Sequence, residues 1–234
     1  MRDGVVIKRS DGLETRRRVL DAAGKVFAAR GFRDATVADI CRSAGANVAA
    51  VNYHFGSKRK LYVEAWRHAF HRSMAAYPPD GGVRADAPAE ERLRGQVRAL
   101  MQRIMDPASL EFDIVHKEMA QPTGLLLEVL RRSVEPLRRR LRDVVRELLG
   151  RGAREERVQL CVMSIHAQCF APHLRERQRK RMPHGSRLPP ALITTLGLDA
   201  VVDHIVRFSL AGIRGVEGRS RAGSMRKKTG RTGS

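Results

Sequence analysis

Hydrophobic residues recur at helical spacing along most of this chain, and glycine, proline and polar residues separate the periodic segments. No long stretch alternates with the period of two that strands require, so the pattern predicts an all-α fold. The first amphipathic segment runs from Thr15 to Gly31, a glycine suited to the end of a helix. Another begins after Ser57, whose hydroxyl can cap it.

Two short helical patterns lie between these segments. Thr36 can cap the first, and Asp39 occupies the acidic position of a capping box three residues later. Gly45 ends this helix, and Asn47 can cap the second, which is predicted to run to about His54. Two short helices joined by a tight turn are typical of a helix-turn-helix, whose second helix enters the major groove of DNA.

The second short helix carries the residues that are expected to read bases. Its predicted outward side chains are Val48, Ala49, Asn52 and Tyr53. The amides of Asn52 and Asn47 can make paired hydrogen bonds to an adenine edge, while Val48 and Ala49 can pack on a thymine methyl group. The alternative for Asn47 is a helix cap alone, and the alternative for Tyr53 is a place in the core.

A second helical region follows the segment PPDGGVRADAPAE, which breaks the pattern after Tyr77. The predicted helices are Ala89–Met105, Ser109–Ala120, Thr123–Leu149, Ala153–Phe170 and Leu198–Arg214. Arg175 to Pro190 is polar and contains proline, so we expect a mobile loop there. Pro136 should kink or split the third helix, and kinked helices commonly leave a cavity between them.

The kinked bundle suggests where a small ligand could bind. The predicted pocket residues are Met101, Met105, Phe112, His116, Met119, Leu126, Leu130 and Cys169. For each of these side chains the alternative is an ordinary place in the hydrophobic core.

Between Thr15 and Phe70, predicted helices alternate with short sequence motifs. The order is a first helix with ARGF at its end, a threonine, a second helix, AG, and a third helix followed by YHF, SK and LY. In this order the stretch resembles the DNA-binding domain of the tetracycline-repressor (TetR) family of transcriptional regulators. The resemblance implies that Tyr53, His54 and Lys58 contact the DNA backbone, for which a phenol, an imidazole and an ammonium are suited. The alternative for His54 is to close its helix. The predicted DNA-binding set also includes Thr36.

Three further stretches are similar to the C-terminal half of the CecR-like branch of that family: KEMAQPTGLLLEVLRRSVEPLRRRL, SIHAQCF and HIVRFSLAGI. This chain has Ala167 where those relatives more often have glycine, a departure that bears on helix packing. The resemblance implies a two-fold homodimer in which the last two long helices pair with their symmetry mates as a four-helix bundle. The predicted interface consists of Val158, Val162, Ile165, Val201, Val202, Ile205 and Phe208.

The composition agrees with a helical DNA-binding protein. Hydrophobic residues make up 42% of the 234 residues and aromatic residues 5%, which favours a bundle built on aliphatic side chains. The formal net charge is +20, and residues 1–77 hold 15 Lys and Arg against 7 Asp and Glu. Such an excess attracts nucleic acid through counterion release, without sequence information. In the middle of the chain arginines alternate with glutamates, so solvated helix faces are the favoured interpretation there.

Several function classes find little support in the sequence. No apolar run reaches the length of a membrane span or a signal peptide, and the three cysteines are too few for a disulfide framework. The chain has no HExxH, CxxC, GxSxG or Walker motif, which disfavours an enzyme. A metal site could draw on five histidines with the cysteines, but no two of these histidines share tight ligand spacing, so neither a metal nor a cofactor is expected. The five are His116, His166, His173, His184 and His204.

The sequence therefore predicts a flexible basic arm over 1–12, a helix-turn-helix domain over 13–60, a helical ligand-binding and dimerisation domain over 61–216 and a disordered basic tail over 217–234. The expected function is that of a cytoplasmic homodimeric regulator, more specifically a repressor. A small-molecule effector is expected to release it from an inverted-repeat operator in double-stranded DNA. The competing interpretation within DNA binding is a nonspecific architectural protein, which the charge permits.

Overall fold

A computed structural model of the chain describes the backbone of residues 3–181 and 192–229, and the side chains of residues 12–172, 174 and 195–216. Within these ranges the chain forms nine α-helices and no strand, which confirms the all-α prediction. The helices are α1 Asp3–Asp34, α2 Val37–Ala44, α3 Val48–Phe55, α4 Lys58–Ala76, α5 Ala89–Met105, α6 Glu111–Ala120, α7 Leu127–Leu149, α8 Glu155–Arg181 and α9 Leu192–Thr229.

The helices at both ends of the chain are longer than the sequence predicted. α1 begins at Asp3, within the predicted arm, and is interrupted at Gly31, where φ is 78° and ψ is −179°. α9 is interrupted at Gly197 and continues to Thr229, within the predicted tail. Positions 182–191, which hold most of the predicted mobile loop, lie outside the described residues.

α8 also exceeds its predicted end at Phe170 by eleven residues and reaches Arg181. Its last part, RERQRKR, was predicted as loop on account of its polarity, yet glutamate, glutamine, lysine and arginine are good helix formers. Pro136 lies inside α7 without splitting it.

The chain folds as two compact units whose limits do not follow chain order. The first unit comprises the residues up to Ala76 together with Asp106–Glu135, so it holds α1 to α4, α6 and the beginning of α7. Its buried core includes Val19, Phe27, Ile40, Val51, Leu61, Tyr62, Trp66, Ile114 and Leu126. The helix-turn-helix helices α2 and α3 thus share one unit with α6, which the sequence had assigned to the second domain.

The second unit comprises Tyr77–Met105 and the residues from Pro136 onward. Its core includes Leu93, Val97, Met101, Leu141, Val145, Val158, Ile165, Cys169, Val202 and Ile205. The connector that follows α4 packs tightly on α5, because a Cβ atom on Gly95 would lie 2.2 Å from the carbonyl oxygen of Asp80. A glycine is therefore required at this contact.

Candidate nucleic-acid interface

Side-chain caps define both helices of the helix-turn-helix. The amide of Asp39 donates to Thr36 Oγ1 at 3.0 Å and the amide of Thr36 donates to Asp39 Oδ2 at 3.4 Å, which completes the predicted capping box. Gly45 adopts the left-handed conformation with φ 59° and closes α2. The amide of Ala50 then donates to Asn47 Oδ1 at 2.7 Å and fixes the first turn of α3.

Asp39 also holds α2 against α1. Its carboxylate accepts hydrogen bonds from Arg30 at 2.7 Å and from Arg42 at 3.2 Å, in addition to the one from the Thr36 hydroxyl at 2.7 Å. The Thr36 hydrogen bond and the positive charges of the two arginines lower the pKa of Asp39. Thr36, predicted in the DNA-binding set, is thus engaged in this cap.

The outer face of α3 is open. Val51 and Phe55 are buried beneath it, as the helical period requires. Tyr53 is 86% exposed and Val48 is 49% exposed, so neither belongs to the core. The exposed set on and before α3 consists of Asn47, Val48, Ala49, Asn52 and Tyr53. The cap bond of Asn47 uses only its oxygen, so its amide NH₂ remains able to donate.

Lys58 has structural contacts that the sequence did not indicate. Its ammonium donates to the carbonyl oxygen of Arg33 at 3.4 Å and lies 4.6 Å from the ring centroid of Phe32. Burial lowers the pKa of Lys58, and Asp34 offsets part of this effect. Lys58, which was predicted to contact a DNA phosphate, therefore also holds the N-terminus of α4 against the end of α1.

Two ion-pair networks join α4 to α1 behind the helix-turn-helix. Glu64 accepts from Arg16 at 3.2 Å and also pairs with Arg67. Asp21 lies 2.9 Å from His68 Nε2 and accepts from Arg72 at 2.7 Å. These contacts link α4 to α1 at two points along the helix pair.

The carboxylate of Glu118 on α6 connects the turn between α6 and α7 to Tyr62 on α4. Glu118 accepts hydrogen bonds from the Tyr62 hydroxyl at 3.1 Å, from the backbone amides of Thr123 and Gly124 at 2.9 Å each, and from the Thr123 hydroxyl at 2.9 Å. Tyr62 is fully buried on α4, and its ring centroid lies 4.8 Å from that of Phe27. The turn is therefore connected by Glu118 to the core beneath the helix-turn-helix.

A basic groove of about 500 Å³ lies beside the end of α3. Arg16, His54, Arg59 and Lys60 contribute positive or titratable groups to its lining, and Glu64 is its one carboxylate. Arg59 and Lys60 are exposed in the first turn of α4, which Ser57 caps through a 3.2 Å bond from the Lys60 amide. The run SKRK could have identified these two residues, yet the sequence prediction included only Lys58 from it.

The predicted ligand-pocket residues fall into both units. Met101, Met105 and Cys169 belong to the second unit, and Phe112, His116, Met119, Leu126 and Leu130 belong to the first. Met101, Leu126 and Cys169 are buried, whereas Met119 is 76% exposed. Burial raises the pKa of the Cys169 thiol to about 12.

Most of the residues predicted to form the dimer interface are buried in the core of the second unit. Six of them are buried within the chain: Val158, Val162, Ile165, Val201, Val202 and Ile205. Phe208 alone is largely exposed, at 63%. Together with Phe208, other side chains form an exposed stripe at helical spacing on α8 and α9, which we name the α8–α9 seam. The seam consists of Leu160, Met163, Ala167, Ala171 and Leu174 on α8, and of Ala200, His204, Phe208, Ala211 and Gly215 on α9.

The described part of the chain contains neither a candidate membrane span nor a candidate metal cluster. None of its helices combines the length and the hydropathy that a membrane span requires. No group of three or more His, Cys, Asp or Glu side chains within it is placed to hold a metal ion.

Comparisons with known proteins give two family matches and a set of similar chains. Residues 19–65 match the profile of bacterial regulatory proteins of the tetR family, and residues 89–213 match the C-terminal domain of the HTH-type transcriptional dual regulator CecR. The HTH-type transcriptional regulator SrpR of Pseudomonas putida is 28% identical over 193 residues, covering 71% of this chain and 88% of SrpR.

Solved structures with the same fold are also regulators. A TetR-like transcriptional regulator from Rhodococcus sp. RHA1 aligns with a TM-score of 0.61 and 19% identity, over 86% of this chain and 96% of that one. The fatty acid degradation regulator FadR from Bacillus halodurans aligns with a TM-score of 0.60 and 18% identity, over 84% of this chain and 98% of that one. At these identities the likeness concerns the fold alone.

Proposed function

Because the chain belongs to the TetR family of DNA-binding transcriptional regulators, in the branch with a CecR-type C-terminal domain, we propose that it is an effector-controlled repressor acting as a homodimer. Its operator is an inverted repeat in double-stranded DNA, and its place of action is the cytoplasm, where bacterial DNA lies. The observation that carries this proposal is the open outer face of α3, held by caps at both ends over a buried inner face.

Base reading is assigned to the exposed side chains of α3. The Asn52 amide can donate to and accept from one adenine edge, and Val48 and Ala49 offer apolar contacts for thymine methyl groups. These residues lie in the N-terminal and middle part of a short helix whose outer face is exposed in the described part of the chain. A recognition helix with such a face can reach base edges in the major groove.

Backbone binding is assigned to the residues that flank this face. Tyr53 and His54 lie at its end, and Lys58 follows in the first turn of α4. Arg59 and Lys60 join this set because both are exposed in the same turn, at the edge of the basic groove. Contacts of this kind orient the protein on DNA and supply salt-dependent affinity.

Dimerisation is assigned to the α8–α9 seam, with a second copy of this chain as its occupant. The seam exposes Leu160, Met163 and Phe208 on two helices that already pack against each other. Exposed large apolar groups arranged in one stripe are a typical interface signature, and two such helix pairs can associate as a four-helix bundle. The resulting two-fold symmetry is what an inverted-repeat operator requires.

The effector is proposed to act by favouring a dimer state whose recognition helices no longer match the operator spacing. A ligand shifts this equilibrium only by its difference in affinity for the two states, typically about 1 to 3 kcal/mol. Ligand response is typical of the family.

Selection of bound sequences from random duplex DNA at physiological salt tests the proposal. We expect an enriched inverted repeat, bound by a dimer in sedimentation analysis. Phe208→Glu together with Met163→Glu should give a folded monomer that no longer enriches the repeat, whereas Arg207→Glu, an exposed site beside the seam, should change the oligomeric state little. Absence of any enriched sequence, with binding lost as salt rises, would indicate a nonspecific architectural binder instead.

A further inference from the structure

Arg16 brings a guanidinium group from α1 into the basic groove beside the end of α3. The backbone contacts assigned above come from the end of α3 and the first turn of α4, and none of them comes from α1. Every residue that lines the groove belongs to the first unit. The positive charge of the groove is therefore supplied by two helices that lie far apart in sequence.

Two contacts hold the Arg16 guanidinium in place. Its Nη2 donates to Glu64 Oε2 at 3.2 Å, and its central carbon lies over the buried ring of Phe55, 5.3 Å from the ring centroid. A guanidinium has five N–H donors, and the hydrogen bond to Glu64 uses one of them. The Arg16 side chain is also 39% exposed. It can therefore offer further donors to an anion that enters the groove.

Glu64 has a second cationic partner besides Arg16. It also pairs with Arg67, three residues further along α4. If Arg16 turned from Glu64 to another oxyanion, Glu64 would remain paired, so the exchange would leave no isolated charge. An ion pair at this exposure is weak, and a phosphate oxygen suits a guanidinium as well as a carboxylate oxygen does. The pair is therefore open to competition by phosphate.

Arg59 and Lys60 add positive charge to the same groove. Both are exposed in the first turn of α4, and neither forms an ion pair within the described part of the chain. Glu64 is the one carboxylate of the lining, against three cations. The groove also lies at the N-terminal end of α4, where the helix dipole favours a negative charge. This excess attracts a polyanion such as DNA.

The groove adjoins the helix that is proposed to read bases. His54 and Phe55 line it from the last turn of α3, directly after Asn52 and Tyr53. A recognition helix in the major groove lies between the two sugar-phosphate backbones, so the residues that flank it are placed to meet phosphates. The basic groove is one such flank.

We propose that Arg16 binds a phosphate of the DNA backbone in the basic groove, and that Glu64 orients the guanidinium and competes with the phosphate for it. This inference rests on the proposed function, because it adds a contact from α1 to the same DNA-binding surface. The phosphate takes the place of Glu64 on Arg16, and Arg67 keeps Glu64 paired.

The salt dependence of DNA binding by the full-length protein tests the contact. Fluorescence anisotropy measures it on the selected inverted repeat and on a random duplex. Arg16→Gln should reduce the salt slope by about one unit per bound chain and weaken both duplexes by the same factor. Arg16→Lys keeps the charge and should restore the slope. Arg17→Gln, on an exposed neighbour in α1 outside the groove lining, should leave the slope nearly unchanged.

The slopes also define the results that would overturn the contact. A slope in Arg16→Gln equal to that of the wild type would reject it, and so would equal reductions in Arg16→Gln and Arg17→Gln, which would indicate a general loss of charge. Wild-type protein that binds neither duplex would overturn the proposed function together with this inference. Wild-type binding with an unchanged slope in Arg16→Gln would overturn this inference alone.

Glu64→Gln tests the competition between carboxylate and phosphate. It should tighten binding to both duplexes by up to about fivefold, because Arg16 no longer has to leave a charged partner. In the Arg16→Gln background the same substitution should give a smaller gain, since only the repulsion between Glu64 and DNA is removed. Thermal unfolding of each variant verifies folding. Equal gains in the two backgrounds would show that Glu64 does not compete for Arg16.

Discussion

Asn52 and Lys58 illustrate how two residues of the proposed DNA-binding surface differ in their contacts. Asn52 is exposed on the outer face of α3, so its amide is free to meet a base edge. Lys58 instead lies against Phe32 and the carbonyl of Arg33, and its pKa is lowered by burial. Substitutions at these two positions should therefore have different consequences.

Asn52→Ala should relax the base preference at one position of each half-site. The expected loss of operator affinity is roughly 1 to 3 kcal/mol, because a paired hydrogen bond to a base edge disappears. Fluorescence anisotropy on the operator and on its single-base variants measures both effects. A uniform loss over all sequences would show that Asn52 does not read bases.

Lys58→Ala should weaken binding to all sequences alike and also lower the melting temperature. The first effect follows from the loss of a phosphate contact, which reduces the salt slope by about one unit. The second follows from the loss of the contact with Phe32, worth about 0.5 to 1 kcal/mol at an exposed site. Arg59→Ala is the matched control, since it should reduce the salt slope without a change in melting temperature. A Lys58 variant that melts like the wild type would contradict the structural role.

Asp21 gives the α1–α4 contact a pH dependence. Burial alone raises its pKa, but the hydrogen bond with His68 and the charge of Arg72 outweigh this effect and lower it below the ordinary value. A carboxyl group whose pKa is lower in the folded state stabilises the fold above its unfolded-state pKa, and this contribution disappears as the pH falls through the folded-state value. Urea unfolding from about pH 7 down to about pH 3 should show a smaller loss of stability in Asp21→Asn than in the wild type. Parallel pH profiles would contradict this.

At the scale of helices and turns, the sequence predicted the ends of a helix correctly where the residues that form the cap lie close together in the chain. The helix caps lie where the sequence predicted them: Thr36 and Asp39 begin α2, Gly45 ends α2, and Asn47 begins α3. Such caps can be predicted because they involve residues within one turn of each other. The start of α7 was missed for the opposite reason. Thr123 was predicted to begin this helix, yet its amide and hydroxyl bond to Glu118 and hold it in a turn.

The interior and exterior apolar faces of α8 and α9 could not be separated from the sequence. Val158, Val162 and Ile165 repeat at helical spacing, and so do Leu160, Met163 and Ala167. Hydrophobic periodicity identifies such a helix but does not show which stripe packs inside the chain and which stays exposed. Only the tertiary arrangement shows that Ile165 is buried and that Leu160 is 57% exposed.

The tie between Tyr62 and Glu118 should stabilise the turn between α6 and α7. Tyr62→Phe removes one hydrogen bond from the Glu118 carboxylate while keeping the ring in the aromatic core, so a loss of about 1 kcal/mol is expected. Hydrogen exchange should show faster exchange of the Thr123 and Gly124 amides in this variant. Unchanged exchange at both amides would show that Tyr62 does not support the turn.

At the scale of the whole molecule, the two compact units divide the chain differently from its order. The unit that contains the helix-turn-helix also contains Asp106–Glu135, and α7 passes from one unit to the other between Glu135 and Pro136. The sequence predicted the helices but not which unit each segment joins. α6 and the turn after it belong to the first unit through contacts between residues far apart in the chain, such as that of Glu118 with Tyr62. A fragment that ends at residue 76 would lack part of its own core.

The proposed function requires a two-fold dimer that places two α3 helices on one face of DNA. The most direct test is an anisotropy titration at physiological salt on the selected inverted repeat, on one half-site, and on the repeat with five base pairs inserted at its centre. Five base pairs turn the half-sites about half a helical turn apart, so a dimer loses one of its two contacts. We expect the half-site and the expanded repeat to bind at least about tenfold more weakly than the intact repeat. Equal affinity for all three duplexes would contradict it.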